Sequence, residues 1–175
     1  MDKDKLKGLA LDVARLAGSA RLQDLAFLVQ EGELQRGASV LTVLERLDSG
    51  TYLIGAGPYT QGIHLLRDDE TVIGRLATPL EELKNEAVDI FVNDAPAFVP
   101  REVSRVHAVI IRSGDSYWLL DRSSTCGTYV NGERLKLQPA HSFDDIASLG
   151  RELSHGDIIS LGPSHANVFV FASLV

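Results

Sequence analysis

Residues 121–132, with the sequence DRSSTCGTYVNG, are the most informative part of this 175-residue chain. They begin with a run of small polar residues and continue with a short strand candidate, Thr128–Val130. The pair Asn131-Gly132 follows, and both residue types tolerate a positive φ, so the pair predicts a tight turn. A polar loop, a short strand and a tight turn in succession indicate antiparallel β-structure.

Short apolar runs separated by turn residues extend this pattern from residue 51 to the end of the sequence. Turns are predicted at Gly57-Pro58, at Asp68-Asp69 and at residues 113–115. No alternation of strands with long helices is present, so the pattern favours an all-β antiparallel sandwich over a parallel α/β sheet. The predicted strands are 51–54, 63–66, 71–75, 108–112, 117–121, 128–130, 158–161 and 168–171.

The first 40 residues have a different character, because their apolar residues recur at helical spacing. Residues 3–17 and 20–31 each carry one apolar stripe and are predicted to be helices. Residues 40–47 fit either a helix or a strand, and we favour the strand because a short turn and a second strand candidate follow. These observations divide the chain into an N-terminal helical segment, residues 1–40, and a β-sandwich domain, residues 41–175.

Two long connections interrupt the β pattern. Residues 78–87 begin with a threonine cap, a proline and acidic residues, which together predict a short helix. Residues 137–153 are predicted to contain a turn or a second short helix. Long loops are uncommon in compact domains and are often functional, so we expect these helical insertions to bear on what the protein does.

The composition excludes several classes of protein. Hydrophobic residues make up 45% and charged residues 23% of the chain, which are globular values and exclude wholesale disorder. A formal net charge of −7 argues against a nucleic-acid protein held by general phosphate attraction. One cysteine excludes an internal disulfide. No run of residues predicts a signal peptide or a membrane span, so we expect a cytoplasmic location.

Three further clusters accompany residues 121–132. Residues 72–75 read VIGR, residues 103–108 read VSRVHA, and residues 155–162 read HGDIISLG. In this order the four clusters resemble the forkhead-associated (FHA) domain family, over roughly residues 51–175. The resemblance implies an FHA/SMAD-like sandwich of about eleven strands, with no catalytic activity and no cofactor. It also implies loops at one end that bind phosphothreonine peptides, and so a reversible, phosphothreonine-dependent interaction module in signalling.

The resemblance also assigns roles to residues. A phosphate group carries a charge of about −1.5 to −2 and three acceptor oxygens. Arg75 supplies a guanidinium fork, Ser104 and Thr125 supply hydroxyl donors, the Ser104 backbone N–H is a further donor, and Arg105 adds a second cation. Cys126 occupies a ligand-contacting position of the binding loop. The resemblance implies mainly architectural roles for Gly74, His107, Gly127, Asn131 and Gly132.

Two features depart from the family pattern. Family members usually carry Asn where this chain has Cys126, and a thiol is a weaker hydrogen-bonding group than an amide. The loss of one such bond to the ligand costs on the order of 1 kcal/mol, or about fivefold to tenfold in affinity. In addition, the connection 76–103 is long and acidic, which predicts a preference for basic residues near the phosphothreonine or a partial cover over the site.

The same residues allow other interpretations. Cys126, His107 and Asp121 suggest a nucleophile, base and orienting acid, but no oxyanion or substrate signature accompanies them. The five histidines show no metal-ligand spacing. The expected partner is a threonine-phosphorylated protein, with a Ser/Thr kinase upstream and neither nucleic acid nor membrane insertion involved. The alternative function is a phospho-independent scaffold, with self-association through residues 1–40.

Overall fold

A computed structural model describes residues 40–57, 59–60, 62–75, 88–92, 102–136, 149–164 and 166–174. Eleven strands lie within these ranges. They are β1 Gly50–Gly55, β2 Ile63–Leu65, β3 Glu70–Arg75, β4 Ile90–Val92, β5 Ala108–Ser113, β6 Ser116–Asp121, β7 Thr128–Val130, β8 Glu133–Arg134, β9 Arg151–Glu152, β10 Ile158–Leu161 and β11 Val168–Leu174. Sheet A has the order β2-β1-β11-β10-β7-β8, and sheet B has the order β4-β3-β5-β6-β9. The predicted all-β sandwich is therefore confirmed.

The core of the sandwich lies between the two sheets. Ile73, Ile110 and Leu119 of sheet B form one buried cluster with Leu53 and Phe171 of sheet A. Each of these side chains is at most 2% exposed. Full burial of such a side chain stabilises the fold by about 1.5–3 kcal/mol, so this cluster fixes the two sheets against each other.

Strand β11 is buried on both faces, which explains its unbroken apolar sequence. Phe169 and Phe171 belong to the cluster between the sheets, whereas Val170 belongs to a second cluster with Val40 and Leu44. Successive strand residues point to opposite faces, so the second cluster lies on the outer face of sheet A. The segment before β1 thus forms a third layer over that sheet.

The strand prediction for residues 40–47 is wrong. Residues 40–44 are helical, and the N–H groups of Glu45 and Leu47 donate to the carbonyls of Leu41 and Val43 at 3.1 and 3.2 Å. Apolar residues three and four positions apart share one face of a helix. Here the apolar face of the helix covers the outer face of sheet A. The local sequence alone does not show that this cover is needed.

Several boundaries and pairings also differ from the prediction. Strands β4, β8 and β9 are additional to the predicted set, and β9 lies within residues 137–153, where a turn or helix was predicted. Strand β4 pairs with β3 in parallel, whereas all other pairings among the described strands are antiparallel. The predicted helices 3–17, 20–31 and 78–87 lie outside the described residues.

Candidate functional site

The end of strand β3 is joined directly to the loop that precedes β5. The Arg75 N–H donates to the Ser104 carbonyl at 3.0 Å, and the His107 N–H donates to the Ile73 carbonyl at 2.9 Å. The loop therefore continues the pairing of β3 and β5 by two further bonds. These contacts place Ser104 beside Arg75, which is the last residue of its strand.

Gly74 permits this close approach. A Cβ atom built on Gly74 would lie 1.8 Å from the Arg105 carbonyl oxygen, far inside any van der Waals contact. Glycine is required here because of space, and the loop carrying Ser104 and Arg105 depends on it.

The loop between β6 and β7 is organised by the carboxylate of Asp121, which is 2% exposed. One oxygen accepts from the Ser124 N–H at 2.8 Å, and the other accepts from the hydroxyls of Ser124 and Thr128, both at 2.6 Å. The Ser124 hydroxyl oxygen in turn accepts from the Gly127 N–H at 2.9 Å. The buried network fixes the backbone around Thr125 and Cys126.

His107 connects the two loops and is fully buried. Its Nδ1 accepts from the Ser104 N–H at 3.0 Å, and its Nε2 lies 3.1 Å from the Gly127 carbonyl oxygen. This pair of contacts requires the neutral ring with its proton on Nε2. Burial lowers the pKa of His107, while the Asp121 charge and the Gly127 carbonyl partly oppose that shift.

A second bond between the loops runs through Ser104. Its Oγ accepts from the Thr125 N–H at 3.2 Å. One predicted donor is corrected here, because the Ser104 backbone N–H is directed to His107 and not toward a ligand. Arg75 and Cys126 are half-buried, whereas Arg105 and Thr125 are exposed. Arg75, Ser104 and Thr125 are thus linked by two hydrogen bonds at one end of the sandwich.

Asn131 and Gly132 lie away from this end. They form the turn between β7 and β8, with φ of 52° and 84°. The Asn131 side chain donates to Asp157 at 2.8 Å and accepts from the Ile158 N–H at 2.9 Å. These contacts tie two turns together at the opposite end of the sheet.

The sequence does not predict the roles of three residues of this site. Asp121 is weighed there only as an orienting acid, although an Asp that begins a polar loop is a signal for a side-chain-bonded turn. Glu102, which accepts from the Ser164 hydroxyl and links the β4–β5 and β10–β11 loops, carried no sequence signal. Arg134 carried none either, although its guanidinium nitrogens lie 2.5 and 2.9 Å from the Cβ position of Gly127.

The acidic connection is described only in part. Within it, the Asp89 carboxylate accepts from the Val72 N–H at 2.7 Å, and the Asp89 N–H donates to the Val72 carbonyl at 2.9 Å. Asp89 therefore fastens β4 to β3. The expected preference for basic ligands rests on Asp89 together with four other acidic residues. These four lie outside the described residues: Glu81, Glu82, Glu86 and Asp94.

His107 and Asp121 are engaged in hydrogen bonds that hold the two loops. Both nitrogens of His107 are engaged by Ser104 and Gly127, and the Asp121 carboxylate is engaged by Ser124 and Thr128. Across the described part of the chain, no group of three His, Cys, Asp or Glu side chains is placed to hold a metal ion. Nor does any described helix have the length and apolar character needed to cross a membrane.

The family model for the FHA domain matches residues 71–162, which is more than half of the 175-residue chain. The chain therefore belongs to the FHA domain family, whose members are in general interaction modules without enzymatic activity. The match spans both loops described above. It supports a phosphopeptide-binding module as the general class.

Solved structures of other proteins are similar to this chain. The FHA domain of the CT664 protein from Chlamydia trachomatis is 19% identical, with a TM-score of 0.51 over 73% of this chain and 100% of that chain. The yeast Pml1 splicing factor is 16% identical, with a TM-score of 0.50 over 75% and 87%. Mycobacterium tuberculosis EmbR, in complex with a low-affinity phosphopeptide, is 23% identical, with a TM-score of 0.49 over 84% and 32%. No curated protein sequence matches this chain.

Proposed function

We propose that this protein binds phosphothreonine in partner proteins, reversibly and without chemistry on the bound group. The observation that carries the proposal is the hydrogen bonding of the Ser104 hydroxyl. Its oxygen accepts from the Thr125 N–H at 3.2 Å, which leaves its single hydrogen to donate elsewhere. The donor is half-buried, it is fixed by two loops, and it lies beside Arg75.

A phosphate dianion fits these donors. The Arg75 guanidinium offers two parallel N–H groups, and the hydroxyls of Ser104 and Thr125 offer one donor each, so each phosphate oxygen has a partner. Arg105 is exposed next to Ser104 and adds positive charge. Because the loops are fastened before the ligand arrives, little ordering free energy is lost on binding.

The finer assignments belong to the same proposal. The partner is a threonine-phosphorylated protein. A Ser/Thr kinase adds its phosphate group and a phosphatase removes it, so binding reports a signalling event. We place this exchange in the cytoplasm. In this proposal residues 1–40 form a separate helical segment. Sedimentation of the full chain measures whether the protein self-associates through that segment.

The test is fluorescence anisotropy with a degenerate phosphothreonine peptide library and its unphosphorylated twin. We expect dissociation constants near the micromolar range, or about −8 kcal/mol. Arg75→Ala should weaken binding at least about tenfold, because hydrogen bonds to charged groups contribute about 1.5–3 kcal/mol. The matched control is Arg112→Ala, which removes the same charge from the β5–β6 hairpin at the other end of sheet B.

A second candidate is a phospho-independent scaffold, which the replacement of the usual Asn by Cys126 favours. The same measurement separates the two candidates. Binding that is equal for phosphorylated and unphosphorylated peptides, or that is unchanged in Arg75→Ala, would rule out the phosphothreonine proposal and favour the scaffold.

A further inference from the structure

The apolar outer face of sheet A extends beyond its buried part. Strand β2 is an edge strand of that sheet, and its residues Ile63 and Leu65 are 46% and 38% exposed. They lie directly opposite Ile54 and Tyr52 of β1, so all four side chains share one face of the sheet. Ile54 and Tyr52 belong to the buried cluster on the outer face, whereas the two apolar side chains of β2 remain exposed beside it.

The chain enters the sandwich on this same face. Val40, the first described residue, is 3% exposed and packs in the outer-face cluster with Leu44 and with Val170 of β11. The helix of residues 40–44 therefore lies over β1 and β11. A second helix packed beside it, at the usual axis separation of about 8–10 Å, would be displaced by about two strand spacings. Toward the edge of the sheet, that position is over β2.

The preceding sequence contains a segment that suits this position. Residues 20–31 carry one apolar stripe at helical spacing. It consists of Leu22, Leu25, Ala26, Leu28 and Val29. The connection 32–39 spans at most roughly 28 Å when extended, whereas β10 and β2 are three strand spacings apart, or about 14 Å. The stripe can therefore reach any part of the outer face between β10 and β2.

We propose that residues 20–31 dock on Ile63 and Leu65 of the same chain, beside the helix of residues 40–44. The docking surface is the β2 part of the outer face, and its occupant is the apolar stripe of the N-terminal segment. A patch of two side chains is far smaller than the interface that a free partner needs. A short connection raises the effective concentration of the segment to about the millimolar range, so a small patch suffices for docking within one chain. The inference does not depend on phosphothreonine binding.

Phe91 provides a matched control for the two residues of β2. It is 54% exposed on β4, which is an edge strand of sheet B. Its neighbours Ile90 and Val92 point into the core between the sheets, so Phe91 points to the outer face of sheet B. That face is across the sandwich from Val40. Phe91→Asp therefore removes an exposed apolar side chain from an edge strand and leaves the proposed docking surface intact.

The experiment measures amide hydrogen exchange in the full chain. A helix of the length of residues 20–31 is marginal on its own in water, so slow exchange there reports docking. We expect exchange in this segment of the native chain to be at least about tenfold slower than in an unstructured chain. The Ile63→Asp/Leu65→Asp variant should lose that protection and keep the slow exchange of β11, because the substitutions lie at exposed positions. Phe91→Asp should retain the protection.

The outcomes decide between this occupant and others. Protection of residues 20–31 that persists in Ile63→Asp/Leu65→Asp, or that Phe91→Asp abolishes instead, would overturn the proposal, as would rapid exchange of the segment in the native chain. Protection that rises with protein concentration, together with sedimentation as a dimer, would overturn it in favour of a second copy of the chain. If the aspartates also accelerate exchange in β11, the milder Ile63→Ser/Leu65→Ser variant repeats the test.

Discussion

Ser104 engages each of its backbone and side-chain polar atoms with a different residue. Its N–H donates to His107, its carbonyl accepts from Arg75, and its Oγ accepts from Thr125. The hydroxyl hydrogen is what the proposed function assigns to the phosphate. A single residue thus orients a strand end, a buried ring and a neighbouring loop, so its position tolerates little movement.

Cys126 is the residue at which the proposed ligand contact is weakest. We expect Cys126→Asn to raise the affinity for phosphothreonine peptides by about fivefold to tenfold, because an amide makes a hydrogen bond that a thiol makes poorly. The measurement is anisotropy with the library described above. Cys126→Ala is the control, since it removes the thiol without adding an amide, and an equal gain in that variant would contradict the hydrogen-bond explanation.

Gly74 is the residue at which the site is most sensitive to added volume. We expect Gly74→Ala to lower the free energy of unfolding by about 1–3 kcal/mol, because the new methyl group would overlap the Arg105 carbonyl and displace the loop. Urea denaturation measures this change. It should be accompanied by weaker peptide binding, since Arg105 and Ser104 belong to the displaced loop.

Gly114 provides the comparison for Gly74. A Cβ atom there meets nothing within 4 Å, although the φ of 62° makes the substitution mildly strained. Gly114→Ala should therefore cost less stability and leave peptide binding unchanged, because the β5–β6 turn lies at the other end of the sheet. A loss of binding in Gly114→Ala equal to that in Gly74→Ala would show that general destabilisation explains both.

At the scale of elements, the β6–β7 loop depends on one carboxylate. We expect Asp121→Ala to lower the free energy of unfolding by about 2–4 kcal/mol, because it leaves the buried Ser124 N–H and the buried Ser124 and Thr128 hydroxyls without their acceptor. Amide hydrogen exchange should then accelerate in residues 122–127 and less in the strands of the core.

Asp157 is the matched control for Asp121. It accepts from the Ser154 N–H and from the Asn131 amide, each at 2.8 Å, but at the opposite end of sheet A and in a more exposed turn. Asp157→Ala should cost less stability and should leave exchange in residues 122–127 unchanged. Faster exchange there in both variants would mean that the loop is not held by Asp121 in particular.

Strands could be predicted from the sequence where an apolar run has the length of a strand and turn residues lie on both sides of it. All eight predicted strands of the β region are present, since each is an apolar run bounded by turn residues. Strands β8 and β9 consist of Glu133–Arg134 and Arg151–Glu152, two-residue charged stretches that have no periodicity to detect. The strand prediction for residues 40–44 is wrong because Val and Leu suit both structures, and only the need to cover the outer face of sheet A decides between them.

The candidate site was predictable only as a set of residue types. The motifs singled out Arg75, Ser104 and Thr125, and the structure brings these three together. The bonds that join them run through backbone groups, such as the Arg75 N–H and the Thr125 N–H, which any residue possesses and no sequence pattern marks. For the same reason the engagement of the Ser104 N–H by His107 was missed.

For the molecule as a whole, His107 couples the site to global stability. Its backbone N–H donates to Ile73 of β3, its backbone carbonyl accepts from the Arg122 N–H after β6, and its ring bonds both loops. Protonation would place a hydrogen on Nδ1 directly against the Ser104 N–H, so the charged ring is incompatible with this arrangement. The proposed phosphate site and the folded state therefore require the same neutral imidazole.

The consequence for pH follows from the lowered pKa of His107. Below about pH 6.5 the unfolded chain binds a proton at this residue while the folded chain does not, so the free energy of unfolding falls as the pH decreases. The loss continues until the pH reaches the folded pKa, with a slope of up to about 1.4 kcal/mol per pH unit. Urea denaturation at a series of pH values from 7 downwards measures this slope.

Two variants test whether His107 causes this dependence of the free energy of unfolding on pH. His107→Gln should be less stable at pH 7, because an amide cannot reproduce both ring contacts, yet its stability should depend less on pH just below 6.5 than that of the native chain. The control His155→Gln removes an exposed imidazole whose Nδ1 accepts from the Ser173 N–H, at the end of sheet A away from the two loops, and should leave peptide affinity unchanged. Because the folded chain keeps His107 neutral over this interval, its bond to Ser104 is retained, and we expect peptide affinity to decline through loss of this bond only when the pH approaches the folded pKa of His107. An NMR titration placing the His107 pKa at or above 6.5 would contradict this coupling.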